Sequence, residues 1–311
     1  MGKRLLIFGG GGFVGGNLAL IADQKGWEVS VVENRPGSQA DWLTADISNR
    51  PSVDKVIQAV GPDAVVNVAA IADIDQAEQN KELAYQVNVE GARNVAEVCV
   101  NLGIRYTFFS SDAVFDGSKS RYTEDDERKP VNYYGWTKME AEKAVLAVYP
   151  KAAIVRISLV LGFPVMGGNS FFASLMSKLK EGKSLEVPTD EIRTPVDVLT
   201  LSECVLELCE NDFSGVLHVG ATDSISRFDL ARKLAKLFGF DDQQILPQAF
   251  AKVASGRAPR HKNGIISVVK AQRLLRIKLL STEAGIQRAL GTREMAVLAA
   301  NKRRRSTDDQ A

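Results

Sequence analysis

The stretch RLLIFGGGGFVGG, residues 4–16, places the tightest limit on the fold. The apolar run from Leu5 to Phe8 reads as a buried strand, and the glycines after it open a helix through GGNLALIADQKG. Those glycines match G-x-G-x-x-G from Gly10 through Gly12 to Gly15, and equally G-x-x-G-x-x-G from Gly9. Because so many glycines satisfy several templates, the surroundings carry the reading: a strand before, a helix after, and Glu33 closing the next strand, WEVSVVE. Backbone without side chains can approach a pyrophosphate at a helix N-terminus, where free N–H groups and the helix dipole favour negative charge. The expected dinucleotide contacts here are Gly9, Gly12, Phe13, Val14 and Gly15, with Glu33 accepting hydrogen bonds from the adenosine ribose. An acid at that point favours NAD, since it repels a 2′-phosphate. Arg35, two residues on, leaves NADP open.

The rest of the first half repeats the pattern. Short β-rich runs (DAVVNVAA, YTFFSS, AAIVRIS) alternate with helical segments, the longest being NKELAYQVNVEGARNVAEVCVNLG. Such alternation predicts βαβ units and a parallel sheet covered on both faces, a doubly wound α/β (Rossmann) architecture. Asp46 and Ile47 in TADIS follow a short third strand, where Asp46 either reaches an adenine amine or caps the helix at Ser52; Ala69 and Ala70 end the fourth strand, at the same crevice. After Ser158 the rhythm breaks in the Gly- and Pro-rich LVLGFPVMGGNS. The expected organisation is a dinucleotide-binding domain over 1–160, a smaller and mainly substrate-binding lobe over 161–290, a return of 193–210 to the large sheet, and a flexible tail over 300–311. Within the lobe, Ser226 and Asp229 form a capping box ahead of a helix, and GVLHVGA reads as a short strand.

Of 311 residues, 39 are basic and 38 acidic, so no net field recruits nucleic acid or an anionic membrane, and a small molecule is the default partner. The apolar run at the N-terminus is too short for a signal peptide, and no stretch approaches a membrane span. Three cysteines in helical patterns suit a reducing cytoplasm better than a disulfide framework. With two histidines and no clustered cysteines, no metal site is expected.

The chemistry centres on YGWTK, which sets Tyr134 and Lys138 on one helix face. That spacing alone is common on solvated helices. The wider pattern GGGGFVGG, DAVVNVAA, YQVNVEGARNV, FFSSDAVFDG and YGWTK resembles, in order and spacing, the extended branch of the short-chain dehydrogenase/reductase family. The resemblance implies a catalytic Ser111, Tyr134 and Lys138, with Tyr134 and Lys138 also touching the cofactor. Lys138 would lower the phenol's pKa, Tyr134 would exchange the proton and Ser111 would orient the carbonyl. Asn88 would hold backbone around the cofactor.

Within the branch, AAIADIDQAEQNKELAYQVN, SSDAVFDG, RTPVDVLTLSE and RAPRHKNGIISVVKAQRLL are similar to the dTDP-4-dehydrorhamnose reductase-like proteins. By position, that likeness implies substrate contacts at Asp75, Asp112, Phe115, Arg193 and Arg257, the arginines suiting a diphosphate. Departures are Ser111 for the usual Thr, Ala72 for a frequent Thr and Ala113 for an aromatic. Ala113 also removes the second carboxylate that nucleotide-sugar dehydratases carry beside Asp112. The expectation is therefore NAD(P)-dependent reduction of a 4-keto nucleotide sugar, with a 4-epimerase of the same fold or a non-catalytic regulatory subunit as alternatives and a homodimer left open.

Overall fold

The computed structural model describes residues 2–34, 42–250 and 257–296; Arg35 and the tail over 300–311 lie outside them. The first element is β1 (Arg4–Phe8), followed by α1 (Phe13–Gln24), β2 (Glu28–Glu33), β3 (Leu43–Thr44), α2 (Arg50–Val60) and β4 (Ala64–Asn67). Next come α3 (Ile74–Gln79), α4 (Lys81–Tyr85), a π-turn over 86–90, α5 (Gly91–Leu102), β5 (Arg105–Ser111), α6 (Tyr133–Val148) and β6 (Ala153–Ile157).

Alternate residues of β1 enter opposite cores, as strand periodicity requires. Leu5 and Ile7 pack with Leu18 and Ile21 of α1, whereas Leu6 and Phe8 pack with Val53 and Ile57 of α2 and Val95 of α5. Both faces are covered, which is why the strands read as continuous apolar runs.

The second half runs through β7 (Val160–Leu161), α7 (Phe171–Lys180), β8 (Leu185–Pro188), β9 (Ile192–Arg193), β10 (Val196–Asp197), α8 (Val198–Glu210) and β11 (Gly215–Val219). It closes with β12 (Ile225–Ser226), α9 (Arg227–Leu237), β13 (Ile245–Gln248), β14 (Asn263–Gly264), α10 (Val269–Leu274) and α11 (Thr282–Leu290). The seven-stranded sheet has the order β11-β6-β5-β4-β1-β2-β3, parallel throughout. One expectation is corrected here: GVLHVGA, read as a strand of the smaller lobe, is β11 and pairs with β6 at the edge of the large sheet. Its Leu217 and Val219 are fully buried in the core that α1 and α8 share, which binds this segment to the sheet rather than to the lobe. A separate core of Leu161, Phe172, Leu175, Leu230, Leu234 and Ile286 holds the smaller lobe. The capping box forms as expected: Asp229 N donates to Ser226 Oγ at 2.9 Å, and the hydroxyl donates to Asp229 Oδ2 at 2.6 Å. Among the described residues, no helix is long and apolar enough to cross a membrane.

Strand order reverses between β1 and β4, since β2 and β3 extend one way from β1 and β4, β5, β6 and β11 the other. Connections leave that point on opposite faces and open a crevice at the carboxyl ends of the strands. Both the glycine turn after β1 and Ser111 at the end of β5 lie along that edge.

Candidate active site

The dinucleotide side is built from backbone. Gly9 has φ 77°, and a Cβ there would stand 2.7 Å from Ala69 N; at Gly15 it would stand 2.3 Å from the Gly9 carbonyl oxygen. Only glycine allows the end of β1, the start of α1 and the end of β4 to approach so closely. Gly12 precedes α1 without a side-chain cap, and Phe13 and Val14 begin a first turn with no acidic residue. The N–H groups of that turn are therefore not satisfied by a cap and suit an anion.

Glu33 sits at the end of β2, and its Oε1 accepts a hydrogen bond from Gly11 N at 2.6 Å. Asp46 does not cap α2; Asn49 does, accepting from Ser52 N at 3.1 Å, while Asp46 Oδ1 accepts from Ser48 N and Oγ at 2.9 and 2.7 Å. Ile47 is buried against Gly91. Ala69 and Ala70 follow β4, with Ala69 N donating to Asn67 Oδ1 at 3.0 Å. Asn88 ties this edge to α6: Oδ1 accepts from Ile71 N at 2.8 Å, and Nδ2 donates to Thr137 Oγ at 2.9 Å. A glycine turn, an uncapped helix and an acid at the end of β2 together fit a dinucleotide. The sequence reading missed the loop that packs on this turn: a Cβ on Gly167 would stand 2.6 Å from the Gly11 carbonyl oxygen, and one on Gly168 2.7 Å from Phe13 N.

Ser111 and Tyr134 come to one cavity because α6 docks its first turn on the turn after β5. Asn132 caps α6 by accepting from Gly135 N at 2.8 Å, and a Cβ on Gly135 would fall 2.0 Å from the Ala113 carbonyl oxygen. The glycine of YGWTK is thus a requirement of contact. The Ser111 hydroxyl lies close enough to the Tyr134 phenol to favour its ionised form, and both line one cavity. Ser111 Oγ also accepts from Ala113 N at 3.1 Å and donates to Asp112 Oδ1 at 3.2 Å.

Burial pushes the Tyr134 phenol up to about 12, with the Ser111 hydroxyl opposing and the Asp112 charge adding. Burial also brings Lys138 down to about 7, against the pull of Glu142; its Nζ lies 4.3 Å from the Phe108 ring centre. Desolvation disfavours the charged form of each.

Glu142, one turn beyond Lys138, was not singled out from sequence. It is fully buried and accepts from Ser110 Oγ at 2.5 Å, Arg156 Nε and Nη2 at 2.8 Å each, and Arg128 Nη1 at 2.9 Å. Burial raises its carboxyl, but the two arginines and the serine hold it below the ordinary range. Ser110 precedes Ser111, so this network pins α6 to the strand that carries the triad hydroxyl.

Ser111, Asp112 and Tyr134 open onto a cavity of about 770 Å³ that also reaches Arg193, Arg227 and His261. Asp112 is 4% exposed; its Oδ2 accepts from Ser158 Oγ at 2.6 Å and stands 3.2 Å from His261 Nε2 and 3.6 Å from Arg193 Nε. Burial raises the Asp112 carboxyl, yet His261, Arg193 and Ser158 bring it down to about 2.

Other expected substrate contacts are placed differently. Phe115 is 0% exposed, stacked on Tyr122 at 4.2 Å between ring centres, and belongs to the core. Asp75 is held by Arg257 Nε at 3.1 Å, Arg260 Nη2 at 2.9 Å and Ala258 N at 2.9 Å; it anchors the segment around 257–260. Arg193 lines the cavity, but Nη1 and Nη2 donate to the carbonyls of Ile192, Lys262 and His261 and meet Glu191. With its fork committed, it is poorly suited to a diphosphate. Arg227, not anticipated, lines the same cavity over the Phe171 ring at 4.2 Å, and its buried Nε has no hydrogen-bond partner. No local motif marks it, because only the packing of α9 against α7 brings it there.

The model of the RmlD substrate binding domain family matches residues 3–295. A dTDP-4-dehydrorhamnose reductase of Mycobacterium tuberculosis is 32% identical over 265 residues, covering 83% of this chain and 81% of the relative. One from Mycolicibacterium smegmatis is 34% identical, covering 84% and 75%. The crystal structure of the Bacillus anthracis dTDP-4-dehydrorhamnose reductase in complex with NADP superposes with a TM-score of 0.83 at 28% identity, covering 93% of this chain and 99% of that one. The backbone-built dinucleotide turn, Ser111 and Tyr134 on one cavity and a family match over nearly the whole chain agree: the protein belongs to the RmlD substrate binding domain family of extended short-chain dehydrogenase/reductase proteins.

Proposed function

We propose that the protein is an NAD(P)-dependent reductase of a 4-keto, 6-deoxy sugar carried on a nucleotide, similar in substrate to the dTDP-4-dehydrorhamnose reductases. The observation that carries this reading is the meeting of Ser111 and Tyr134 at the mouth of a cavity of about 770 Å³, beside a turn that fits a dinucleotide.

A reduced nicotinamide supplies the hydride in this chemistry. The protein's part is to hold and release a proton. A phenol held near 12 keeps its proton at neutral pH, so Tyr134 is loaded as the general acid for a carbonyl oxygen. Ser111 Oγ turns its hydrogen toward that oxygen and shares the developing charge. Lys138 suits the nicotinamide ribose, whose hydroxyls offer acceptors to a buried amine, and its charge helps Tyr134 once a bound cofactor and substrate replace water. Glu33 serves the adenosine ribose, and an acid at that position supports tighter binding of NAD(H) than of NADP(H). Arg227 is the better placed cation for the nucleotide diphosphate.

The test is oxidation of NADH or NADPH by the purified protein, which should require an added dTDP-linked 4-keto-6-deoxy sugar. Interconversion of sugar epimers at a steady rate without added nicotinamide would replace the reductase by an epimerase.

A further inference from the structure

His261 has no place in the triad, yet it is 4% exposed and set against the carboxylate next to Ser111. Two glycines make room for it. A Cβ on Gly264 would stand 2.4 Å from Asp112 Oδ2 and 2.8 Å from His261 Nε2, and one on Gly117 would stand 3.1 Å from His261 Cβ. Nε2 lies at ion-pair distance from Asp112 Oδ2, off the line of a hydrogen bond, and Nδ1 has no hydrogen-bond partner. Oδ2 is thus enclosed by His261, Ser158 and Arg193, while Oδ1 faces Ser111, which lies close to Tyr134.

The other charges around the imidazole are fixed. Arg193 faces Glu191, Arg260 faces Asp75, and Lys262 faces Asp190. Each of these cations faces a carboxylate of its own, which leaves the imidazole of His261 as the group on this side of Asp112 whose charge can change.

We propose that His261 is a charge-balancing, positioning residue for the reduction: its imidazolium offsets Asp112 and so eases the negative charge that Tyr134 acquires on giving up its proton. This rests on the reductase reading. With neutral His261, the Asp112 carboxylate faces Ser111 less well compensated and opposes the phenolate. The working form is the protonated one, and kcat rises as pH falls through the His261 titration.

Two measurements test this. His218 and His261 are the only histidines, so both ring signals can be assigned by NMR and followed against pH without any substrate. Asp112→Asn should lower the His261 midpoint by about one unit or more, the scale for losing an adjacent opposite charge. In turnover of NAD(P)H with the 4-keto sugar, kcat of the unaltered protein should rise roughly tenfold on the acid side of that midpoint, about one factor of ten in rate per 1.36 kcal/mol. His261→Gln should lose that limb and stay on the lower plateau. A His261 midpoint indifferent to Asp112→Asn overturns the proposal whatever the substrate. So does a His261→Gln profile lowered equally at every pH, which would mark a structural role. Absence of any turnover by the unaltered protein would instead count against the reductase reading, and the NMR titration still decides the pair.

Discussion

The two walls of the site are made of different materials. The dinucleotide wall is backbone: Gly9 and Gly15 bring β1, α1 and β4 together, and its one charged side chain of note, Glu33, lies on the next strand in sequence. The cavity wall is side chains from distant segments: Asp112 follows β5, Arg193 is on β9, Arg227 begins α9 and His261 precedes β14. A backbone wall holds a feature common to every dinucleotide, the pyrophosphate, and tolerates no added atoms. A side-chain wall can be exchanged residue by residue, and there the substrate is chosen. Between the two stands α6, which carries Tyr134 and Lys138.

The comparison breaks most sharply at the base of α6. Replacing Glu142 by Gln leaves Arg156 buried without its counter-charge, and loss of one partner of a buried pair costs about 3–5 kcal/mol. Denaturant unfolding should show it, with both walls failing together. The pH dependence has a definite sign. Glu142 is held below the ordinary carboxyl range, so its contribution is present above the unfolded carboxyl's pKa and fades as pH falls below it. The variant and the unaltered protein should differ most at neutral pH and converge in acid.

Tyr134→Phe should keep the fold and remove the hydroxyl proposed as the proton donor. Turnover should fall by at least ~100-fold while cofactor binding, read by calorimetry, changes little. Near-full turnover would mean that another group supplies the proton.

Gly15→Ala tests the backbone wall alone. A methyl 2.3 Å from the Gly9 carbonyl oxygen cannot be accommodated without moving the turn, and overpacking of this kind costs about 1–3 kcal/mol. The expected result is weaker cofactor binding with the substrate's KM at saturating cofactor little changed.

Arg227→Ala tests the cavity wall alone and should be the mildest, raising the KM for the nucleotide sugar about tenfold, the loss of roughly one charge-assisted contact. Affinity for NAD(H) should stay within about twofold, inside the ordinary scatter of a remote surface change. If KM for the sugar holds and cofactor affinity falls, the two walls are not separable in the way described.

Legibility in the sequence followed the same division. The strand, glycines and helix of residues 4–24 and the acid at Glu33 are local, and periodicity with spacing was enough to place them; Tyr134 and Lys138 were singled out only by the resemblance to a family. Asp46 was ambiguous because two short polar side chains, Asp46 and Asn49, precede α2, and only the observed bonds show that Asn49 caps it. Phe115, expected as a substrate contact, lies in the core, and Asp75, expected as another, is held by Arg257 and Arg260. A buried aromatic and a structural carboxylate carry no mark in the chain that separates them from ligand contacts, since both depend on what folds over them.

By itself, then, the sequence determined the parallel sheet and the glycine turn after β1, because helix and strand periods and glycine sterics act over a few residues. Tertiary structure alone decided that β11 joins the large sheet, that Glu142 and Arg156 pair beneath α6, and that the Arg193 fork goes to backbone carbonyls and Glu191 while Arg227 lines the same cavity. It also set His261 against Asp112, 149 positions apart by their numbers (261 − 112). The physical reason is desolvation: whether a charged group serves a ligand or another side chain depends on which partner remains within reach once water is excluded, and that is settled only when distant segments pack.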